Sequence, residues 1–364
     1  MRIIGVLTLL IYGCTHSTVI QPSQVQNAYS YQCKILDMNG KVLKRIPFSL
    51  CDYFEDGKVI ASDQNGMALL APEGLLLWQK KINCHHNIRI LNQDKIIVMN
   101  SSFHHFKGEW ARFDRISIYD LQGNELKYFD FYEHLEQIFK FVPPEKQILN
   151  GETFILLQKS GDFLNVENGN KYSPVMKEFA HANSVYEIQE NKLSYSNPAF
   201  AAGNFIVNVN GIGFIFILDK DLKNILWAAA QPRNEKSKSS LHDVQVTNEG
   251  NLLYFNNVFN EDRSSIELMN PATFERTIIF KGSEVNKFFG SRQGSVQRLD
   301  NGHYLIAKFD KLNNSELLEV TGAGKLVKTM TLKTLGLEGK RLDSLQEVKQ
   351  RNLDSFLKNN TSLF

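Results

Sequence analysis

Three histidines, His86, His181 and His242, each stand at or near the start of a short extended segment: HHNIRIL from His85, HANSVYEI from His181 and HDVQV from His242. An imidazole titrates close to neutrality, so it serves as nucleophile, general acid or base, or metal ligand. A lone histidine at a strand end mostly satisfies a nearby backbone group. Three at one phase of similar units differ, because a fold that sets those units side by side brings the rings together. His85 is the alternative in its pair, since neighbouring strand residues point to opposite faces. Arg263 lies 21 residues beyond His242 and offers a forked donor to an oxyanion. Asn183 and Asn257, in the units of His181 and His242, are placed with them as substrate-binding groups.

The units that must position these residues repeat. Leu241 to Arg263 holds an alternating strand, a turn at Asn248-Glu249-Gly250-Asn251, and a second apolar strand. Related patterns start at His85, His181 and Gly294. Turn signals fall at Gly40, Gly74, Gly123, Gly169, Lys223, Thr273 and Gly324; from Gly74 onward the separations are 49, 46, 54, 50 and 51 residues. Short β-branched and aromatic runs fill the intervals. A period near 50 residues with several strands in each predicts an all-β propeller of four-stranded blades, six of them or seven. The first strand of each blade lines a central funnel, where the histidines would meet.

The ends read differently. Arg2, the apolar run Ile3 to Ile11 and Gly13-Cys14 have the form of a signal peptide over residues 1–13, too short for a mature membrane helix. Ile11-Tyr12-Gly13-Cys14 resembles a bacterial lipobox, so Cys14 is the expected lipidation site, and residues 14–28 a polar tether. The propeller is expected over 29–335. Leu342, Leu345, Val348, Phe356 and Leu357 sit near helical spacing, predicting an amphipathic helix within 336–364. Cys33, Cys51 and Cys84 are three, an odd number; they are read as mostly buried small hydrophobes, with Cys33 and Cys51 the nearest pair. Forty-one basic against 39 acidic residues give a net charge of +2 with no long basic run, which argues against nucleic-acid binding.

At this point the chain resembles the bacterial arylsulfotransferase family, propeller enzymes of the cell envelope. FAHANSVYEI from Phe179, IFILDKDLKNILW from Ile215, LHDVQVTNEGNLLYFNN from Leu241, DRSSIEL from Asp262 and GSVQRLDNGHYLIA from Gly294 carry the likeness, over roughly residues 70–330. The resemblance implies that a histidine takes the sulfuryl group of an aryl sulfate and passes it to a phenol, without a nucleotide donor. It implies that His242 and Arg263 hold the sulfuryl oxygens, with His181 or His86 completing the site. No cofactor and no metal are expected. The expected partners are a small aromatic sulfate ester and a phenol, with the membrane reached through lipid on Cys14, outside the cytoplasm.

The unit from Ser291 departs from the pattern, with Gly294 and no histidine at the phase of His242. Arg292 is the residue there that could bind an anion, though a guanidinium is no nucleophile. His104 and His105 read as a surface loop, and His303 as a turn residue outside the funnel. The alternative function is therefore a propeller lipoprotein that has lost the reaction and serves as a platform for a ligand or a protein partner.

Overall fold

The computed structural model describes residues 27–31, 33–36, 42–63, 66–147, 150–157, 163–165, 175–232, 241–260, 263–282, 288–290, 293–308, 316–331 and 345–349. The signal segment, Cys14 and Arg292 lie outside them. Its first strands are β1 (Asn27–Tyr31), β2 (Lys34–Leu36) and β3 (Val42–Arg45). A four-stranded sheet follows in sequence order: β4 (Leu50–Tyr53), β5 (Val59–Asp63), β6 (Gly66–Leu70) and β7 (Leu76–Lys80). The next sheet starts the same way with β8 (Cys84–Leu91), β9 (Lys95–Phe106), β10 (Glu109–Asp120) and β11 (Glu125–Asp130). After the short helix α1 (Leu135–Phe139), β12 (Asn150–Leu157), β13 (Phe163–Asn165) and β14 (Val175–Phe179) join that same sheet, with β14 parallel to β10.

Three more four-stranded sheets complete the body. They are β15 (Ala182–Glu187), β16 (Phe205–Val209), β17 (Phe214–Leu218) and β18 (Ile225–Ala230); β19 (Leu241–Val246), β20 (Leu252–Asn260), β21 (Arg263–Met269) and β22 (Arg276–Lys281); and β23 (Gly294–Arg298), β24 (Tyr304–Lys308), β25 (Glu316–Val320) and β26 (Leu326–Thr331). The last strand, β27 (Leu345–Lys349), pairs antiparallel with β1 and completes the first sheet.

Two expectations are corrected here. Among the described residues there are five four-stranded blades and one seven-stranded sheet, not six or seven four-stranded blades. The turn signal at Gly169, which lies outside the described residues, counted toward a further blade, yet β14 pairs with β10, β12 with β14 and β13 with β12, so these strands extend the sheet of β8 to β11. The C-terminal helix is also overturned where the structure describes that region, since Leu345–Lys349 is a strand. Alternation and helical spacing are hard to separate over five residues, and the free edge of β1 offers the backbone partners that decide it.

The packing explains the sequence pattern. β6, β16, β17 and β24 are buried along their whole length, because neighbouring sheets cover both faces, and they read as mostly apolar runs, interrupted by Asn208 in β16 and Lys308 in β24. Outer strands such as β7 and β22 are largely exposed. Side chains stitch each sheet to the next: Ile90 N–H donates to Asp52 Oδ2 (2.8 Å), Ala182 N–H to Asp114 Oδ2 (2.8 Å), Val244 N–H to Ser184 Oγ (3.3 Å) and Val296 N–H to Asp243 Oδ2 (2.7 Å). Cys33 and Cys51 form a disulfide that ties the first sheet to β4, with Cα atoms 5.2 Å apart. The reading of the cysteines as mostly buried small hydrophobes is corrected for Cys33 and Cys51, the nearest pair in sequence; Cys84 is the free cysteine among the described residues.

Candidate active site

β8, β15 and β19 are the first strands of successive sheets, and they contact one another in that order. All three break register near their start: between Cys84 and Ile88, between Ala182 and Ser184, and between His242 and Gln245. At or just before each break a non-glycine residue takes a left-handed backbone, His86 at φ +55, His181 at φ +55 and Asp243 at φ +58. Such bulges re-aim side chains, and the strained conformations cost on the order of 1–3 kcal/mol each, so packing must hold them. At His181 the holding group is the turn 210–213. Gly211 N–H donates to Ala180 O at 2.6 Å, and a Cβ on Gly211 would lie 2.4 Å from that oxygen.

The bulges bring four imidazoles together. The rings of His85 and His86 are 5.1 Å apart, and those of His86 and His181 are also 5.1 Å apart, both edge to face. Hydrogen-bond partners fix the tautomers. His85 Nε2 lies 3.0 Å from Asn100 O and 3.3 Å from Asp114 Oδ1, two acceptors, so it carries the proton. His85 Nδ1 is then bare and accepts from His86 Nδ1–H at 2.9 Å. That leaves His86 Nε2 with a lone pair and no partner among the described residues. His242 is held differently. Its Nδ1–H donates to Asn257 Oδ1 (2.6 Å), because the Asn257 amide nitrogen is committed to Gly290 O and Gln293 O. Its Nε2 accepts from Asn183 Nδ2 at 3.2 Å.

Charge divides the cluster. Burial, with His181, Arg112 and His242 nearby, holds His86 well below the ordinary imidazole value. Burial and Arg112 do the same to His85, and burial brings His242 down to about 4. His181 goes the other way. Burial opposes its charge, but the hydrogen bond to Glu178 (Nδ1 to Oε1, 2.8 Å) raises it. Burial pushes Asp114 up to about 6 against the pull of Arg112. Arg112 is itself buried; its Nε–H donates to Ser101 Oγ, Nη1 sits 3.5 Å from Glu178 Oε2, and Nη2 makes no hydrogen bond among the described residues. The pocket thus sets imidazoles pushed toward the neutral form beside Arg112 and an imidazole, His181, pushed toward the charged one. His86 and His181 are half-buried, whereas His242 is buried.

His85, His86, Asn183, His181, His242 and Asn257 therefore meet in one place. Arg263 opens β21, and the cation that acts on His85, His86 and His181 is Arg112. Arg112, Asp114 and Glu178 went unread in the sequence, and only the alternation of Arg112 and Asp114 along one strand hinted at them. Gly294 cannot carry a histidine, because a Cβ there would lie 2.7 Å from the Phe255 ring. His104 and His105 belong to β9 rather than a loop, with His104 stacked on Tyr132 at 3.9 Å. His303 pairs with Glu319, away from the cluster.

A protein of unknown function from Bacteroides caccae superposes with a TM-score of 0.52 at 13% identity, covering 89% of this chain and 99% of that one, and shows the fold alone. Sqt1 of Saccharomyces cerevisiae gives 0.42 at 10% identity, covering 80% and 76%. No functionally curated protein matches. The profile of the arylsulfotransferase (ASST) family matches residues 55–333, which takes in every histidine of the cluster. That match runs over most of the chain, and the protein belongs to the arylsulfotransferase family.

Proposed function

We propose that the protein moves a sulfuryl group from an aryl sulfate to a phenol through a covalent intermediate on His86. The observation that carries this is the unpartnered Nε2 lone pair of His86, held by the chain from Asn100 O through His85. The lone pair forms a nitrogen–sulfur bond as the sulfur–oxygen bond to the aryl group breaks. Positive charge then grows on the His86 ring, and its Nδ1–H already points at the bare nitrogen of His85, with Asp114 behind it. The leaving phenolate takes a proton from His181. The acceptor phenol returns a proton to His181 as its oxygen attacks sulfur, which frees His86. Arg112 and His181 supply the positive field that the sulfuryl oxygens need.

The β9–β10 hairpin supports a place for the aryl ring. It pairs without a break from Glu109↔Phe106 to Asp120↔Lys95, so Trp110, Arg112 and Asp114 share one face with His105, Phe103 and Ser101. Asp114 and Arg112 reach the histidines, and Trp110, 52% exposed, stands about 7 Å farther along the strand from Arg112.

The decisive assay mixes the protein with p-nitrophenyl sulfate, with and without phenol. Phenol-dependent release of p-nitrophenol, and a sulfated peptide containing His86, are expected; a sulfated His242 peptide instead would move the nucleophile. No release from folded protein would leave the platform reading. We further propose that the chain works in the cell envelope, tethered by lipid at Cys14, a reading that the Cys33–Cys51 disulfide supports through its need for an oxidising compartment. Palmitate labelling that survives Cys14→Ala would contradict it.

A further inference from the structure

We propose that Glu178 is a positioning residue that holds His181 as the cationic partner of a free-base His86, so that a proton donor and a nucleophile sit side by side. The catalytic consequence rests on the sulfuryl-transfer reading; the proton held on His181 does not.

Two imidazoles with rings 5.1 Å apart cannot both carry charge cheaply, and without outside help neither has a claim to the proton. The groups facing His181 are His85 and His86 from β8, Arg112 and Asp114 from β10, Glu178 from β14 and His242 from β19. Arg112 and the other imidazoles oppose a charge there. Asp114 favours it, but its oxygens are spent on Ala182 N–H and on the His85 side. Among these described groups Glu178 is the one that hydrogen-bonds the ring, with Oε1 2.8 Å from Nδ1, while its Oε2 lies 3.5 Å from Arg112 Nη1. One carboxylate therefore anchors the proton on His181 and offsets the guanidinium that keeps His86 neutral.

The fold delivers Glu178 for this purpose by an unusual route. β14 belongs to the segment that adds three strands to the β8–β11 sheet, and its parallel register with β10 places Glu178 directly opposite Arg112. Phe179, fully buried against Phe113, locks that register. Ala180 and His181 then take left-handed backbones, at φ +85 and φ +55, and the imidazole lies against the carboxylate three residues before it. Nδ1–H is held, so the proton that can leave is on Nε2, which has no partner among the described residues.

The test follows histidine ring ¹⁵N resonances of the full chain against pH, with His181 assigned by loss of its signal in His181→Gln. In the unmodified protein His181 is expected to titrate above pH 6.5 and His86 below it. In Glu178→Gln the His181 midpoint should fall by about one unit, a loss of one favourable charge contact. Glu178→Asp should restore part of it, and His303, paired with Glu319 elsewhere, should not move. With p-nitrophenyl sulfate and phenol, the alkaline limb of kcat should shift down in step, with a smaller change in KM. A His181 that titrates at or below 6.5 in the unmodified protein overturns the proposal, even if Glu178→Gln does not fold. So does a midpoint unmoved in a folded Glu178→Gln. A midpoint that falls in a protein without transferase activity keeps the assignment of the proton and removes the sulfuryl-transfer reading instead.

Discussion

His86 and His242 are chemically the same side chain, and their partners give them different work. Both are neutral and both have a bare Nε2, but an amide hydrogen of Asn183 occupies the one on His242. Asn183 Oδ1 is left without a partner, so this amide is held by its nitrogen alone. The neutral state of His86 has a pH signature. Its value in the fold lies well below 6.5, so protonation, which removes the lone pair, comes only in more acidic solution. The acid limb of kcat/KM is therefore expected below pH 6.5. Removing the cation that helps depress it, in Arg112→Met, should move that limb upward; a limb at or above 6.5 in the unmodified protein would count against His86 as nucleophile. The same shift makes stability depend on pH. Below 6.5 the unfolded chain binds more protons at His86 than the fold does, so acidification through that window costs stability. Asp114, raised to about 6, contributes with the opposite sign between 3.8 and 6.

At the scale of elements, the β9–β10 hairpin does two jobs by alternation. One face carries Ala111 and Phe113 into the aromatic core with Phe106, Phe179 and Tyr132, which makes the hairpin rigid. The opposite face carries Asp114, Arg112 and Trp110 outward from the histidines. Both strands are 12 residues long, where β16, β17 and β24 have five, so the hairpin extends past the ordinary blade length. An aromatic contact with the substrate ring contributes about 0.5–1.5 kcal/mol. Trp110→Ala should accordingly raise KM for an aryl sulfate about two- to tenfold with little change in kcat. An unchanged KM would place the aryl group elsewhere.

Across the whole molecule, closure is the issue that a propeller must settle. β27 pairs with β1, so the first sheet draws strands from both ends of the described chain. The disulfide then ties that sheet to the next across 18 residues of sequence. By loop-closure entropy a cross-link of this span is worth about 3 kcal/mol. Cys51→Ala should therefore lower the unfolding free energy obtained from urea titration by about that much, and reductant should do the same to the unmodified protein but nothing more to the variant. Equal midpoints in all of these would mean that β-pairing alone closes the structure.

The sequence determined the all-β class, most of the strands, and the phase of the histidines, because each is a local matter of β-branched runs, turn residues and period. It also carried Asn183 and Asn257, which lie within the same units. It did not determine where β12 to β14 pair, since a turn near Gly169 looks the same whether its strands start a blade or extend one. That pairing is a long-range competition for the edge of β10, and the count of four-stranded blades turned on it. The same competition brought Glu178 opposite Arg112. For this reason the surroundings that push His86 and His242 toward the neutral form and His181 toward the charged one were decided by the tertiary structure alone.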